Sequence, residues 1–183
     1  MKKKITLTII CAVLSCVCLI GTTFAWLTAK TDPITNTFTV GDINITLTET
    51  EATYKMLPGN DITKDPKVTV TKGSEDCWLF VKIEKSANFG DYMTFTVASG
   101  WTELTVGSGI YYRQVDANES ADQPFNVLDG NKVSVLESVT KAQLETAKTN
   151  APTLTFTAYA VQRDSNIDTV AEAWQVATTG NLT

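Results

Sequence analysis

Side chains alternate between the two faces of a strand with a period of two, and that alternation runs through most of the chain beyond residue 34. From Thr35 to Thr48 the sequence is dense in Thr, Val, Ile and Phe, residues that suit a pleated sheet. Phe38 and Val40 share one face, whereas Ile43, Ile45 and Leu47 share a face of opposite parity. A bend or bulge at Gly41-Asp42 is expected from that switch. Met56-Leu57-Pro58-Gly59-Asn60-Asp61 has the chemistry of a turn. Val68 and Val70 then alternate with threonines, and Gly73-Ser74-Glu75-Asp76 turns the chain again. Leu79, Val81 and Ile83 alternate with Phe80, Lys82 and Glu84, which predicts a strand with one strongly apolar face. Met93, Phe95 and Val97 repeat the pattern. Trp101 to Val106 and Ile110 to Val115 flank Gly107-Ser108-Gly109 and read as a hairpin. Val133 and Val135 follow a turn at Asp129-Gly130-Asn131, and Leu154, Phe156 and Ala158 mark a last strand. Roughly eight to ten strands at fairly even spacing predict an all-β antiparallel sandwich or barrel.

Two short helices break the pattern. Thr140 to Lys148 contains good helix formers, with Ser138 or Thr140 as N-cap. Near the C-terminus Asp168 is expected to cap a helix ending near Gly180, with Ile167, Val170, Ala171, Trp174 and Ala177 on one side. That stripe reads as a face packed on the sheet in preference to a partner-binding face.

The N-terminus follows neither period. Lys2, Lys3 and Lys4 precede an uncharged run from Ile5 to Ile20, and Gly21-Thr22-Thr23-Phe24-Ala25 ends it in small residues. A basic start, an apolar centre and a Thr-x-Ala ending read as a signal peptide, helical in the membrane and cut between Ala25 and Trp26. A permanent anchor is the weaker reading, because the run falls short of the ~20 apolar residues of a spanning helix. Val13-Leu14-Ser15-Cys16 loosely resembles a lipid-modification signal, but cleavage there leaves a greasy start instead of a polar tether. The expected organisation is a signal peptide at 1–25 and one β-sandwich domain at 26–183. Residues 26–40 are a candidate donor strand, and contact with the membrane is expected only before cleavage.

Removing 1–25 takes three of the fifteen basic residues and none of the twenty acids, so the formal charge moves from −5 to −8. An acidic surface repels phosphate backbones, and nucleic acid is not an expected partner. Of four cysteines only Cys77 lies beyond the signal. It heads the apolar run Trp78-Leu79-Phe80-Val81 and reads as a small buried thiol.

The chain contains no histidine. Ser-His-Asp and Cys-His arrangements cannot be built, and neither can a His-Glu-x-x-His zinc site. No glycine-rich phosphate loop is present, and no pair of carboxylates is singled out for glycoside chemistry. Asp116, Asn118 and Asp122 superficially resemble an oxygen-rich calcium loop. Ala121 stands where that loop needs glycine and Val127 where it needs glutamate, so a solvated hairpin loop is the preferred reading. The expectation is no catalytic residue, no metal and no cofactor.

Gly21-Thr22-Thr23-Phe24-Ala25-Trp26-Leu27-Thr28, followed by Thr37-Phe38-Thr39-Val40-Gly41-Asp42-Ile43-Asn44-Ile45, resembles the TasA/camelysin group of proteins exported by Gram-positive bacteria. Met56 to Asp65 resembles that family's Leu-x-Pro-Gly-Asp-x-x-x-Lys turn. The likeness extends through Trp78-Leu79-Phe80-Val81-Lys82-Ile83 to Leu154–Gln162, and leaves residues 100–150 unmatched. The resemblance implies cleavage by a SipW-type signal peptidase, a jelly-roll-like sandwich, and assembly of the best-known members into extracellular biofilm-matrix fibres. Some relatives are described as metalloproteases; the absence of histidine argues against that activity here.

Thr35-Asn36-Thr37-Phe38-Thr39-Val40 is uncharged, free of proline and rich in β formers, so it suits addition to another subunit's sheet edge. The function expected is a secreted structural protein of the cell surface or matrix that polymerises with itself. A signal peptidase acts during export, and an accessory matrix protein is left open as a further partner. Two rivals stand beside it: a monomeric surface module (an adhesin or accessory subunit) whose strand completes its own sheet, and a hydrolase working through carboxylates.

Overall fold

The computed structural model describes residues 42–50, 55–163 and 167–179. The cleavage pair Ala25 and Trp26 and the donor strand Thr35–Val40 lie outside them.

Among the described residues ten strands and three short helices follow one another: β1 (Ile45–Thr48), β2 (Asp61–Thr63), β3 (Lys67–Val70), β4 (Cys77–Lys85), α1 (Phe89–Tyr92), β5 (Met93–Thr94), β6 (Thr102–Glu103), β7 (Ile110–Val115), β8 (Gln123–Asn126), β9 (Lys132–Val135), α2 (Lys141–Ala147), β10 (Leu154–Gln162) and α3 (Val170–Thr179). Every ladder is antiparallel. The strands form three sheets with orders β1-β3-β8, β10-β4-β7-β6 and β2-β9-β5.

The first two sheets face each other as an antiparallel sandwich. Val68 and Val70 of β3 meet Cys77, Leu79, Val81 and Ile83 of β4, with Val115 and Val127 completing the buried cluster. The third sheet continues the first. Thr63 faces Lys132 and Lys67 faces Asn126, so residues 64–66 oppose the longer stretch 127–131. The excess is taken up in a turn of 3-10 helix at Asp129–Asn131, where Gly130 and Asn131 adopt φ of 61° and 52°. A bulge of this kind bends a ladder, and here it separates one long pairing into two sheets.

Several expectations are corrected in detail. The Met93–Val97 strand divides into β5 and a single bridge between Val97 and Leu128. The first arm of the 101–115 hairpin narrows to β6, because the Glu103 carboxylate accepts the Gly107 and Gly109 N–H groups and draws the loop back. Val106 stands 95 % exposed at its tip. Strand β8, not among the strands expected, lies at a sheet edge, where Pro124 is tolerated. Residues 116–122 do not close a hairpin: β7 and β8 belong to different sheets, and the loop crosses between layers. Phe80, placed opposite the apolar face of β4, is itself fully buried.

Both longer helices are capped by threonine. Thr140 and Gln143 form a reciprocal capping box that starts α2. At α3 the cap is Thr169 in place of Asp168: its hydroxyl accepts the Glu172 N–H, and Glu172 accepts the Thr169 N–H. Asp168 only donates its own N–H to that carboxylate. The buried face of α3 carries Ala173 and Trp174, with Ala171 exposed, and it packs on β10 and β4. Thr169→Ala removes the cap and should cost about 1 kcal/mol; equilibrium urea unfolding reads it, and an unchanged midpoint would refute the capping role. Among the described residues no helix is long and apolar enough to cross a membrane.

Candidate functional site

Most edges of the sheets are short or blunted. Strand β6 has two residues, β5 two and β2 three, and β8 contains proline. Strand β10 differs. It lies at the end of the four-stranded sheet and runs for nine residues, Leu154–Gln162, without a charge or a proline. Among the described residues no strand pairs with its outer side.

The bonding phase of β10 follows from its two ends. Ser86 N–H donates to the Thr153 carbonyl at 3.0 Å, and Arg163 N–H donates to the Asp76 carbonyl at 2.8 Å. Odd-numbered β10 residues therefore exchange hydrogen bonds with β4, in keeping with the register Thr155↔Glu84 and Thr157↔Lys82. Residues bonding one neighbour alternate with residues bonding the other. Leu154, Phe156, Ala158, Ala160 and Gln162 thus point their N–H and C=O groups away from β4. Four of these side chains, from Leu154 to Ala160, turn inward against the core. The open edge presents unpaired backbone with apolar side chains directly beneath it.

Two clefts flank the start of this edge. One of about 320 Å³ lies between β1 and β10, lined by Leu47, Thr48, Glu49, Pro66, Leu154 and Phe156. The other, about 470 Å³, continues from Leu154 toward Met56, Ile62, Phe89, Met93 and Val133. Leu47 is 38 % exposed at this mouth. Lys64 spans the region, paired with Glu49 and set 5.5 Å above the Phe156 ring. Strand β1 enters extended, with the Asp42 and Asn44 carbonyls accepting from Glu75 and Thr71.

The far end of β10 is clamped. One Arg163 nitrogen reaches Asp76 at 3.1 Å and Asp116 at 2.6 Å. The Ala117 N–H also donates to Asp76 and, with Arg163, holds that carboxyl below its usual range. The suspected cation loop is thereby accounted for. Asp116 is occupied by Arg163, Asp122 accepts the Lys72 N–H, and Asn118 accepts from Ser120 and Ala121.

Over residues 1–92 the sequence matches the family described as camelysin metallo-endopeptidase. The chain belongs to the camelysin family. No curated relative and no solved structure matches it. The peptidase in the family's description requires a metal, and the residues present do not fit one. The chain has no imidazole, and among the described residues no three Cys, Asp or Glu side chains are grouped to hold an ion. Cys77 is fully buried, and burial pushes its thiol up to about 11. A thiol so raised is protonated at neutral pH and is neither nucleophile nor ligand. Cys77 in the folded chain should therefore resist thiol reagents at pH 8 and react only after denaturation; rapid labelling of native protein would contradict this.

Proposed function

We propose that this camelysin-family chain is an extracellular, non-catalytic structural protein that assembles with copies of itself. Residues 35–40 of one molecule add to the open β10 edge of the next. The observation that carries the reading is that edge: nine uncharged residues with outward backbone groups unpaired among the described residues. An exposed, long, apolar edge is a template for pairing with another chain. The occupant matches it chemically. Thr35–Val40 is uncharged like the edge, and Phe38 and Val40, two residues apart in sequence, would share one face of an added strand. They suit the clefts beside Leu154 and Phe156. Main-chain hydrogen bonds supply affinity and alternate side chains supply register.

Export fits the same scheme. The signal peptide at 1–25 holds the chain at the membrane until a signal peptidase cuts between Ala25 and Trp26, after which the donor segment lies beside a free end. Family membership points to the cell surface or extracellular space, and an accessory matrix protein is a further partner of this scheme. The lack of histidine in the chain, with no metal-holding cluster among the described residues, favours assembly over proteolysis.

Electron microscopy of the processed chain tests the reading directly. Fibres are expected from residues 26–183 on concentration, and soluble monomers after deletion of 26–40. If the deletion variant polymerises as readily as the intact chain, strand donation is wrong. If the intact chain sediments as a monomer at every concentration, the monomeric surface module takes its place.

A further inference from the structure

We propose that Arg113 acts as a guard on the second opening of the sandwich, refusing an incoming strand between β6 and β8 while the β1/β10 side accepts one. The inference rests on the strand-donation reading and adds which margin is closed.

A two-layer sandwich has two lateral openings, and here they are treated differently. Cleft-lining residues on the β1/β10 side are apolar apart from threonines and the Lys64–Glu49 pair, whose charges offset each other. On the opposite side the inner face of β7 carries Arg113, paired in register with Leu79 of β4. Its guanidinium carbon lies 3.9 Å from the centre of the Phe125 ring and 5.5 Å from that of Trp101. Phe125 comes from β8, in the facing sheet. Trp101, just before β6, donates its indole N–H to the Asn126 carbonyl at 2.9 Å. The stack therefore ties the two layers together along β8, beyond the point where the 96–98 backbone pairs with 127–129. Gly100, at φ 84°, leaves room for it: a Cβ there would sit 3.3 Å from an Arg113 nitrogen. Pro124 removes a donor from the outer side of β8, since the Val127 N–H to Pro66 carbonyl bond puts odd-numbered β8 residues on β3.

The arrangement is poor as a pure stabiliser. The Arg113 Nε is shielded from solvent with no hydrogen-bond partner, and burial lowers the pKa of the group. An unsatisfied buried donor costs about 1–3 kcal/mol, and an apolar side chain of similar volume is often neutral or better in such a place. What a cation provides is exclusion. A strand entering this side would strip the remaining water from the guanidinium without pairing it, and inward-pointing charge is a known defence of sheet edges.

The test titrates the processed chain, below its assembly concentration, with a synthetic peptide of residues 33–42. Native mass spectrometry counts the peptides bound. Wild type should take one. Arg113→Leu and Arg113→Met should each take two, and Arg113→Lys, which keeps the charge, one. Circular dichroism verifies that the variants fold, and using two apolar replacements guards against one failing. Equal numbers on wild type and both apolar variants overturn the guard, as does a wild type that already takes two. A wild type that takes none while the apolar variants take one keeps the guard and sinks donation at β10.

Discussion

Phe80→Ala should destabilise the domain by about 3–5 kcal/mol, read as a lower urea midpoint, and should loosen α3 before the rest unfolds. Phe80 is fully buried although it projects from the outer face of β4. Trp174 covers it at a ring separation of 5.3 Å, and Trp174 also meets Tyr159 edge-on at 5.1 Å. Ring contacts of this kind add about 0.5–1.5 kcal/mol to the burial itself. Were Phe80 a solvent-facing residue, as simple alternation along β4 implies, truncation would shift stability by no more than about 0.5 kcal/mol. The two outcomes are far enough apart for one denaturation curve to choose. Hydrogen exchange adds a second reading: faster exchange confined to 170–179 is expected in the variant, and uniform exchange would mean α3 does not depend on this ring.

Ala158→Pro should abolish assembly while leaving a folded monomer. Its N–H points away from β4, so proline at 158 deletes a donor that only an added strand uses, and the proline ring obstructs the approach of that strand. Thr157→Pro, one residue earlier, deletes a donor that serves the β4 ladder. It should unfold or severely weaken the domain. Electron microscopy together with thermal unfolding separates the pair. Fibres from a folded Ala158→Pro chain would show that β10 is not the acceptor.

The alternation of Val68, Val70, Leu79, Val81, Ile83, Leu154, Phe156 and Ala158 was legible because each lies on an inner face, where period two follows directly from burial. The same residues form the observed cluster between the two main sheets. Phe80 was misread because its cover is a helix ninety residues away in sequence; a local pattern cannot report a lid from elsewhere in the chain. Strand β8 is not legible from sequence, because its four residues include Pro124, which only an edge tolerates, and edges are defined only by topology. The α3 cap shifted from Asp168 to Thr169 because Glu172 sits three residues after Thr169, a reciprocal pairing that outweighs either residue alone. For the candidate site, the proposed donor, Thr35–Val40, is a reading of the sequence, whereas the proposed acceptor is not legible there. That β10 ends a sheet, and which of its amides face outward, depend on strand order and hydrogen-bond phase, which no window of residues contains. The Arg113 stack shows the same limit, since Trp101, Arg113 and Phe125 come from three separate stretches of the chain.

The pairing of β10 with β4 along nine residues has a mechanical corollary. A tensile load applied along β10 would act parallel to the strand and perpendicular to its hydrogen bonds, straining the whole ladder in shear at once instead of unzipping it bond by bond. With Arg163 pinned to both Asp76 and Asp116 at the far end, the force would spread into two loops before the strand could slide. A subunit that grips its neighbour through this strand would resist stretching along the pull much better than peeling across it.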